Sequence, residues 1–281
     1  MKRSVQIAEQ AGYCFGVRRA LDMVKEHLTG HDKRVYSLGP IIHNPQVVEE
    51  FRKRGLTPVE SLASVSEGVL VIRSHGVEKE LLEEAHRKGL EVVDATCPFV
   101  KNAQRLARQL SEDGYQVLIV GEEAHPEVKG ILSYCGENTL VVSSVEHLEG
   151  KAISPKAGIL AQTTQSQERF IKIVHAVLLV AYECRVFNTI CNATLARQTA
   201  AVELAGAVDV MFVIGGRNSA NTARLAELCR AGGTTTYHIE TADEIMPEMV
   251  SGKQRIGITA GASTPSTHIE AVQKRLEQID G

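Results

Sequence analysis

Short apolar runs alternate along the chain with longer segments in which apolar residues recur every three or four positions. Runs such as "YQVLIVG" and "DVMFVIGG" have the length and composition of buried strands. The segment that begins "AGYCFGVRRAL" instead has the spacing of a helix, with four apolar residues on one face: Val17, Leu21, Val24 and Leu28. Strands that alternate with helices predict an α/β protein with parallel sheets.

One pattern occurs three times. A short β-like run leads to a cysteine at the start of a predicted helix, and a Val-rich strand that ends in glycine follows that helix. The three cysteines are Cys14, Cys97 and Cys191. A second helix and a strand that runs into small polar residues complete each copy, as in "VLVIRSHGV", "GILAQTTQS" and "IGITAGAST". Such a repeat predicts three similar structural units.

We therefore expect three pseudo-symmetric α/β units in a trefoil, with boundaries at 1–96, 97–190 and 191–281. Each unit carries one of the three cysteines at the junction of a strand and a helix N-terminus, which is where ligands bind to open parallel sheets. Three units around an approximate three-fold axis would direct three thiolates to one centre. The partial positive charge of the helix N-termini would stabilise those thiolates and an anionic cluster beside them.

Composition excludes several classes of function. The 281 residues are 43% hydrophobic with a net charge of −3, and they include no basic run, no Trp and only 4% aromatic residues. These features argue against nucleic-acid binding. The most apolar run, "VHAVLLVAY", is too short to span a bilayer, and no signal-peptide pattern follows the first residues. We expect a cytoplasmic protein without membrane contacts, in which six cysteines act as ligands, catalysts or core residues rather than in disulfides.

The three helix-start cysteines favour an iron–sulfur site over a structural zinc site. Structural zinc sites use paired C-x-x-C ligands, and the sequence contains no such pair. Three thiolates suit a cubane cluster whose fourth iron stays open as a Lewis acid. Three further cysteines lie in ordinary apolar or helical contexts and are expected to be packing residues: Cys135, Cys184 and Cys229.

Histidines and hydroxyl groups dominate the predicted strand-end loops. His43, His75 and His125 lie there, although a lone histidine is more often a structural group. Polar residues of "AQTTQS", "GGRNSANT" and "TAGASTPS" are typical either of anion binding or of helix N-caps. Those that we consider for an anion site are Thr163, Ser219, Asn221 and Ser263. Together they suggest a phosphate or diphosphate site.

Glu127 follows His125 and Pro126, and is predicted to lie in a first helical turn. A carboxylate at that position is stabilised by the helix dipole, so a structural role is as well founded as a role as catalytic acid. Spacing alone leaves both interpretations open. If Glu127 is an acid, the hydroxyl of Thr163 is the best candidate for a proton relay, because it can both donate and accept.

Eight motifs occur in order between Gly12 and Pro265, and as a set they are highly specific: "GYCFGVRRAL", "IIHNPQVV", "SHGV", "DATCPFV", "HPEV", "NTICNAT..RQ", "GGRNSANT" and "ITAGASTP". They resemble the 4-hydroxy-3-methylbut-2-enyl diphosphate reductase family, which performs the last step of the non-mevalonate isoprenoid pathway. Ala220 departs from the serine that many members have, and Asn192 also differs from the family pattern.

The resemblance implies a three-lobed α/β fold around one [4Fe–4S] cluster, with Cys14, Cys97 and Cys191 as its ligands. It also implies a proton donor, Glu127, and a set of substrate contacts: His43, His75, His125, Thr163, Ser219, Asn221 and Ser263. The implied reaction is the reductive dehydroxylation of an allylic alcohol diphosphate to isopentenyl and dimethylallyl diphosphates. Electrons would come from a partner such as a ferredoxin or flavodoxin.

Two other functions compete with this interpretation. An iron–sulfur sensor would need an element that binds DNA or a protein partner, and the sequence shows none. A cluster-dependent hydro-lyase would dehydrate a hydroxy acid without net electron transfer. Its site would bind carboxylates with several arginines, whereas the loops here are rich in Ser, Thr and His.

Overall fold

The computed structural model describes residues 3–30 and 33–279. Its strands are β1 (Ser4–Ile7), β2 (Val35–Leu38), β3 (Leu56–Val59), β4 (Val69–Ile72), β5 (Glu91–Asp94), β6 (Gln116–Val120), β7 (Thr139–Val142), β8 (Lys156–Ala161), β9 (Glu183–Phe187), β10 (Val210–Ile214), β11 (Thr235–Ile239) and β12 (Arg255–Ala260). Its α-helices are α1 (Phe15–Gly30), α2 (Pro45–Lys53), α3 (Lys79–Arg87), α4 (Pro98–Glu112), α5 (Pro126–Leu132), α6 (Gln167–Leu178), α7 (Asn192–Ala207), α8 (Ala220–Ala231) and α9 (Ser266–Gln278).

The strands form three four-stranded sheets, and every strand pair within them is parallel. The first sheet has the order β3-β2-β4-β5, the second β7-β6-β8-β9 and the third β1-β12-β10-β11. The predicted α/β class with parallel sheets is therefore confirmed.

Interior strands are largely apolar because both faces of a parallel sheet are covered. All residues of β4, β6 and β10 are buried. Pro58 lies in β3, at the edge of the first sheet, where a residue without an N–H group interrupts no ladder. Among the described residues, no helix combines the length and apolarity that a membrane crossing requires.

The described chain forms two compact units. One consists of the residues up to Arg18, His43–Val47 and the residues from Asn192 onward, and it contains the third sheet. The other consists of Arg19–Ile42 and Val48–Cys191, and it contains the first and second sheets. The boundaries 1–96, 97–190 and 191–281 stay a prediction.

The pairing of β1 with β12 shows how the repeat is connected. Ser4 lies opposite Arg255 and Ile7 opposite Ile258, so the first strand completes the sheet formed by the last part of the chain. Each cysteine-led helix consequently follows a strand of one sheet and precedes a strand of another. Cys14, Cys97 and Cys191 thus mark the points where the chain passes between sheets.

Candidate active site

The three helix-start cysteines share one backbone contact. In each case the cysteine N–H donates to a backbone carbonyl in the loop that follows a strand. The acceptor is the second residue after β12, β4 or β8, and each of these strands pairs with an edge strand. The pairs are Cys14 to Ala262 at 3.2 Å, Cys97 to Ser74 at 3.0 Å and Cys191 to Thr163 at 3.0 Å. The contact holds each thiol beside a small polar loop, as the repeat in the sequence predicts.

The side chains of these cysteines differ in environment from those of the other three. Cys14, Cys97 and Cys191 each stand directly before a helix, since α1, α4 and α7 begin at the next residue; the partial exposure of their side chains is shared by Cys135 and Cys184. The Sγ of Cys14 accepts a hydrogen bond from the N–H of Val17 at 3.4 Å. Helix-start N–H groups of this kind stabilise a thiolate.

The remaining cysteines favour the neutral thiol. Burial raises the pKa of Cys135 and of Cys229 to about 11, and burial also raises the pKa of Cys184. Cys229 lies wholly inside the core and its Sγ contacts the carbonyl of Ala201. These properties agree with the packing role expected for the three cysteines.

Glu127 has a buried carboxylate that accepts two hydrogen bonds from Thr163. Its side chain is 1% exposed, at the start of α5, and its own N–H donates to Nδ1 of His125 at 3.1 Å. The N–H of Thr163 donates to Oε1 at 2.6 Å, and the Thr163 hydroxyl donates to Oε2 at 2.9 Å. Burial raises the pKa of Glu127 to about 7, and the two hydrogen bonds from Thr163 oppose that shift.

Two predicted histidines lie beside this pair. The rings of His75 and His125 meet edge to face, with 5.8 Å between their centroids and 82° between their planes. Thr163 also accepts the N–H of Cys191 through its carbonyl. One compact unit therefore contains six of the predicted site residues: His75, Cys97, His125, Glu127, Thr163 and Cys191.

The other unit contains the remaining five: Cys14, His43, Ser219, Asn221 and Ser263. The hydroxyl of Ser263 donates to the carbonyl of His43 at 3.0 Å. A Cβ at Gly216 would lie 2.7 Å from the same carbonyl, so a side chain there would collide with the His43 backbone. Ser219 is the N-cap of α8 and accepts the N–H of Thr222 at 3.3 Å.

Asn221 has an unusual environment. Its side chain is 6% exposed, yet neither its Oδ1 nor its Nδ2 has a hydrogen-bond partner. A buried amide without partners costs about 1–3 kcal/mol, so native proteins seldom retain one without a ligand to satisfy it. Asn221 lies in the first turn of α8, whose free N–H groups favour anions.

Two arginines differ in their environment in the structure. Arg217, the obvious cation of the Gly-rich loop, is exposed and pairs with Glu244. Arg197 is 3% exposed and donates to the carbonyls of Gly12 at 2.7 Å and Ala193 at 3.2 Å. Its position on the buried face of α7, four residues before Ala201, is the feature of the sequence that could have indicated its burial.

The family model described as LytB protein matches residues 5–277. The chain belongs to this family. The resemblance noted from the motifs is thereby confirmed.

Similar curated proteins are named 4-hydroxy-3-methylbut-2-enyl diphosphate reductase. The protein of Trichlorobacter lovleyi is 51% identical over 276 residues, which cover 98% of each chain. The protein of Geobacter metallireducens is 50% identical over 274 residues, covering 98% of this chain and 97% of that one.

Two solved structures of diphosphate reductases have the same fold as this chain. One, described as the terminal enzyme of the non-mevalonate pathway, has 46% identity and a TM-score of 0.71 and covers 99% of this chain and all of its own. The E-1-hydroxy-2-methyl-but-2-enyl-4-diphosphate reductase from Plasmodium falciparum has 25% identity and a TM-score of 0.91. That match covers 98% of this chain and 87% of the Plasmodium chain.

Proposed function

We propose that this LytB-family chain is an oxidoreductase that converts 4-hydroxy-3-methylbut-2-enyl diphosphate to isopentenyl and dimethylallyl diphosphates. The names of its full-length relatives support the substrate and the reaction class. Replacing the hydroxyl group by hydrogen consumes two electrons and two protons and releases one water. The site must therefore bind a diphosphate, deliver protons and receive electrons.

The contact between Glu127 and Thr163 carries the proposal. Hydroxide is a poor leaving group, and protonation turns it into water. An acid with a pKa of about 7 is partly protonated at neutral pH, as a proton donor requires. The Thr163 hydroxyl contacts the carboxylate directly and can donate and accept at once, so it relays the proton from Glu127 to the substrate oxygen.

The diphosphate is assigned to hydroxyl, amide and imidazole groups. In one unit these are Ser219 and Asn221 at the start of α8, with His43 and Ser263 in the adjoining loops. The partnerless amide of Asn221 supports this assignment, since a bound phosphate oxygen would accept from its Nδ2. His75, His125 and Thr163 are assigned as the remaining substrate contacts.

Cys14, Cys97 and Cys191 are assigned as ligands of one [4Fe–4S] cluster. Their chemistry fits, since thiolates are the ligands of such clusters and these three thiols share one backbone environment at helix starts. Among the described residues, no three His, Cys, Asp or Glu side chains are grouped to hold a single metal ion. A [4Fe–4S] cluster does not need three side chains at one metal ion, because each thiolate binds a different iron atom. When bound, the cluster would supply electrons and one iron with an open coordination position.

We assign the supply of electrons to a small carrier protein such as a ferredoxin or flavodoxin, because the family reaction consumes electrons. We assign the protein to the cytoplasm, because its cysteines are free rather than paired in disulfides. The chain's own groups supply the protons and the substrate contacts.

Anaerobic incubation with 4-hydroxy-3-methylbut-2-enyl diphosphate and reduced methyl viologen tests the function. Mass spectrometry of the reconstituted enzyme's reaction should show both isopentenyl and dimethylallyl diphosphate. Unreacted substrate, or a dehydrated product that forms without reductant, would contradict the proposal. Glu127→Gln should form much less of both products, and its matched control is Glu123→Gln, since Glu123 is an exposed carboxylate in the loop that precedes Glu127.

A further inference from the structure

The strands β4, β8 and β12 are each followed by a turn of the same kind. The N–H of the fourth residue of each turn donates to the carbonyl of the first: Gly76 to Arg73 at 3.0 Å, Gln165 to Gln162 at 3.1 Å and Thr264 to Gly261 at 3.0 Å. The second residue of each turn provides the carbonyl that accepts a cysteine N–H. The third residue is His75, Thr164 or Ser263. The turns are therefore equivalent parts of the repeat, and two of them carry a proposed substrate contact at the same position.

The first residue of the second turn, Gln162, braces the turn against a neighbouring loop. Its Oε1 accepts the N–H of Glu122 at 3.2 Å, and its Nε2 donates to the Thr164 hydroxyl at 3.1 Å. A Cβ at Gly121, the residue after β6, would lie 3.1 Å from the same Oε1. A neutral side chain is thus sufficient to join this turn to the loop after β6.

The third turn begins with Gly261, and a threonine of α8 takes the place of a side chain. A Cβ at Gly261 would collide with the hydroxyl of Thr222. A Cβ at Gly215, the residue after β10, would lie 2.7 Å from that same hydroxyl. Two of the three turns are therefore packed against a neighbouring strand end through a neutral group.

Arg73 begins the first turn and is the charged member of the three. Its Nε donates to the carbonyl of Gly76 at 3.3 Å, across the turn that contains His75. A Cβ at Gly39, the residue after β2, would lie 2.7 Å from Nη1 of Arg73. The guanidinium therefore lies over the carboxyl ends of β2 and β4, and this edge of a parallel sheet is where ligands bind.

The position of Arg73 is unfavourable for a charge. Burial lowers the pKa of the guanidinium, and the charge of Glu78 opposes this shift. No carboxylate among residues 3–30 and 33–279 forms an ion pair with Arg73. A partly buried charge without an ion pair is destabilising, and Gln162 shows that such a turn can be braced without one. Stability therefore does not explain the arginine.

We propose that Arg73 supplies a positive charge that draws the diphosphate group of the substrate to the turn containing His75. This role rests on the proposed function, in which the substrate is an anion and His75 contacts it. The groups assigned to the diphosphate are hydroxyls, amides and imidazoles, whereas a guanidinium keeps its charge at every physiological pH. Arg73 is a positioning residue: its charge attracts the anion, its hydrogen bond holds the turn, and His75 makes the contact.

Calorimetry with inorganic diphosphate, on the anaerobically reconstituted full chain, tests this role. Arg73→Gln removes the charge and copies the neutral residue of the second turn, whereas Arg73→Lys keeps the charge and loses the hydrogen bond from Nε. Arg73→Gln should bind inorganic diphosphate about tenfold more weakly than the wild type, and Arg73→Lys should stay within about threefold of it. The affinities of the wild type and Arg73→Lys should also fall more steeply with salt than that of Arg73→Gln.

Steady-state kinetics separate attraction of the substrate from the chemical step. With 4-hydroxy-3-methylbut-2-enyl diphosphate and reduced methyl viologen, Arg73→Gln should raise KM about tenfold and leave kcat and iron content near the wild-type values. Arg217→Gln is the matched control, because the Arg217 side chain is 62% exposed and pairs with Glu244. It should change neither KM nor the affinity for inorganic diphosphate.

Equal affinities of the wild type and Arg73→Gln would overturn the role of Arg73. An equal loss in Arg73→Gln and Arg73→Lys would do the same, since the charge would then not be the cause. Loss of iron or of the native circular dichroism spectrum in Arg73→Gln would show a structural role instead. A wild type that forms product but does not bind inorganic diphosphate would also overturn the role, whereas a wild type that forms no product would contradict the proposed function itself.

Discussion

Thr163 binds both oxygens of the Glu127 carboxylate, one through its N–H at 2.6 Å and the other through its hydroxyl at 2.9 Å. Both side chains are buried, at 1% and 5% exposure. The carboxylate is thereby fixed in one orientation, while the Thr163 oxygen still has lone pairs with which to accept a proton. This arrangement suits the proposed role of the pair in holding and transferring a proton.

Replacing Glu127 by Gln should abolish proton delivery and preserve the fold. Glutamine has the same shape and can still accept from Thr163, but it has no acidic proton. We expect turnover to fall by about 10²-fold or more, with substrate affinity and iron content near those of the wild type. Steady-state kinetics and calorimetry with the substrate measure the two effects. Near-normal turnover at saturating substrate would show that Glu127 is not the proton donor and has only a structural role at the start of α5.

The pH dependence of turnover should report the same group. Burial raises the pKa of Glu127 to about 7, so the carboxyl holds its proton below pH 7 and loses it above. Turnover of the wild type should therefore decline as the pH rises through 7. In Glu127→Gln the residual rate should lack this decline. A wild-type profile that is flat from pH 6 to pH 8 would contradict the role of Glu127 as the acid.

Stability gives a check that needs no substrate. The pKa of Glu127 is raised from 4.5 in a model peptide to about 7 in the fold, so the folded state binds the extra proton between these values. Its contribution to the free energy of unfolding is fully present below pH 4.5 and is lost as the pH rises through 7. Denaturation curves of the wild type and Glu127→Gln should diverge over this range. A difference in the free energy of unfolding that stays constant over this pH range would show that the pKa of Glu127 is not raised by burial.

Two buried asparagines in one unit offer a matched test of the anion site. Asn221 has no partner for its amide, whereas Oδ1 of Asn44, which is 1% exposed, accepts the N–H of Val47 at 3.1 Å. Asn221→Leu should leave stability unchanged or raised, and should weaken substrate binding by about 1–3 kcal/mol. Asn44→Leu should lower the free energy of unfolding by about 1 kcal/mol through loss of a cap. Thermal denaturation and calorimetry distinguish the two; unchanged affinity in Asn221→Leu would exclude Asn221 from the site.

The two kinds of cysteine should respond differently to substitution. Cys97→Ser removes a proposed cluster ligand, so we expect loss of the broad iron–sulfur absorbance and of activity. Cys135→Ser changes a thiol whose pKa burial raises to about 11, and should retain both. Iron and acid-labile sulfide analysis after anaerobic reconstitution measures the difference. Iron retained in full by Cys97→Ser would show that another residue takes its place.

Local features of the fold could be predicted from the chain, and long-range ones could not. The positions of Cys14, Cys97 and Cys191 at helix starts follow from periodicity, since apolar spacing is a local property. The pairing of β1 with β12 joins residues about 250 positions apart, and no local pattern specifies such a partner. In the same way, Ser219 and Asn221 looked equivalent as loop residues. Only the fold separates the N-cap from the partnerless amide.

Reductive removal of the hydroxyl group is tested most directly by counting electrons. Oxidation of methyl viologen, followed by its absorbance under anaerobic conditions, gives the electrons consumed for each substrate molecule converted. Two electrons per molecule are expected for the wild type, with no consumption in Cys97→Ser. Conversion of substrate with no oxidation of the dye would identify a hydro-lyase and contradict the proposed function.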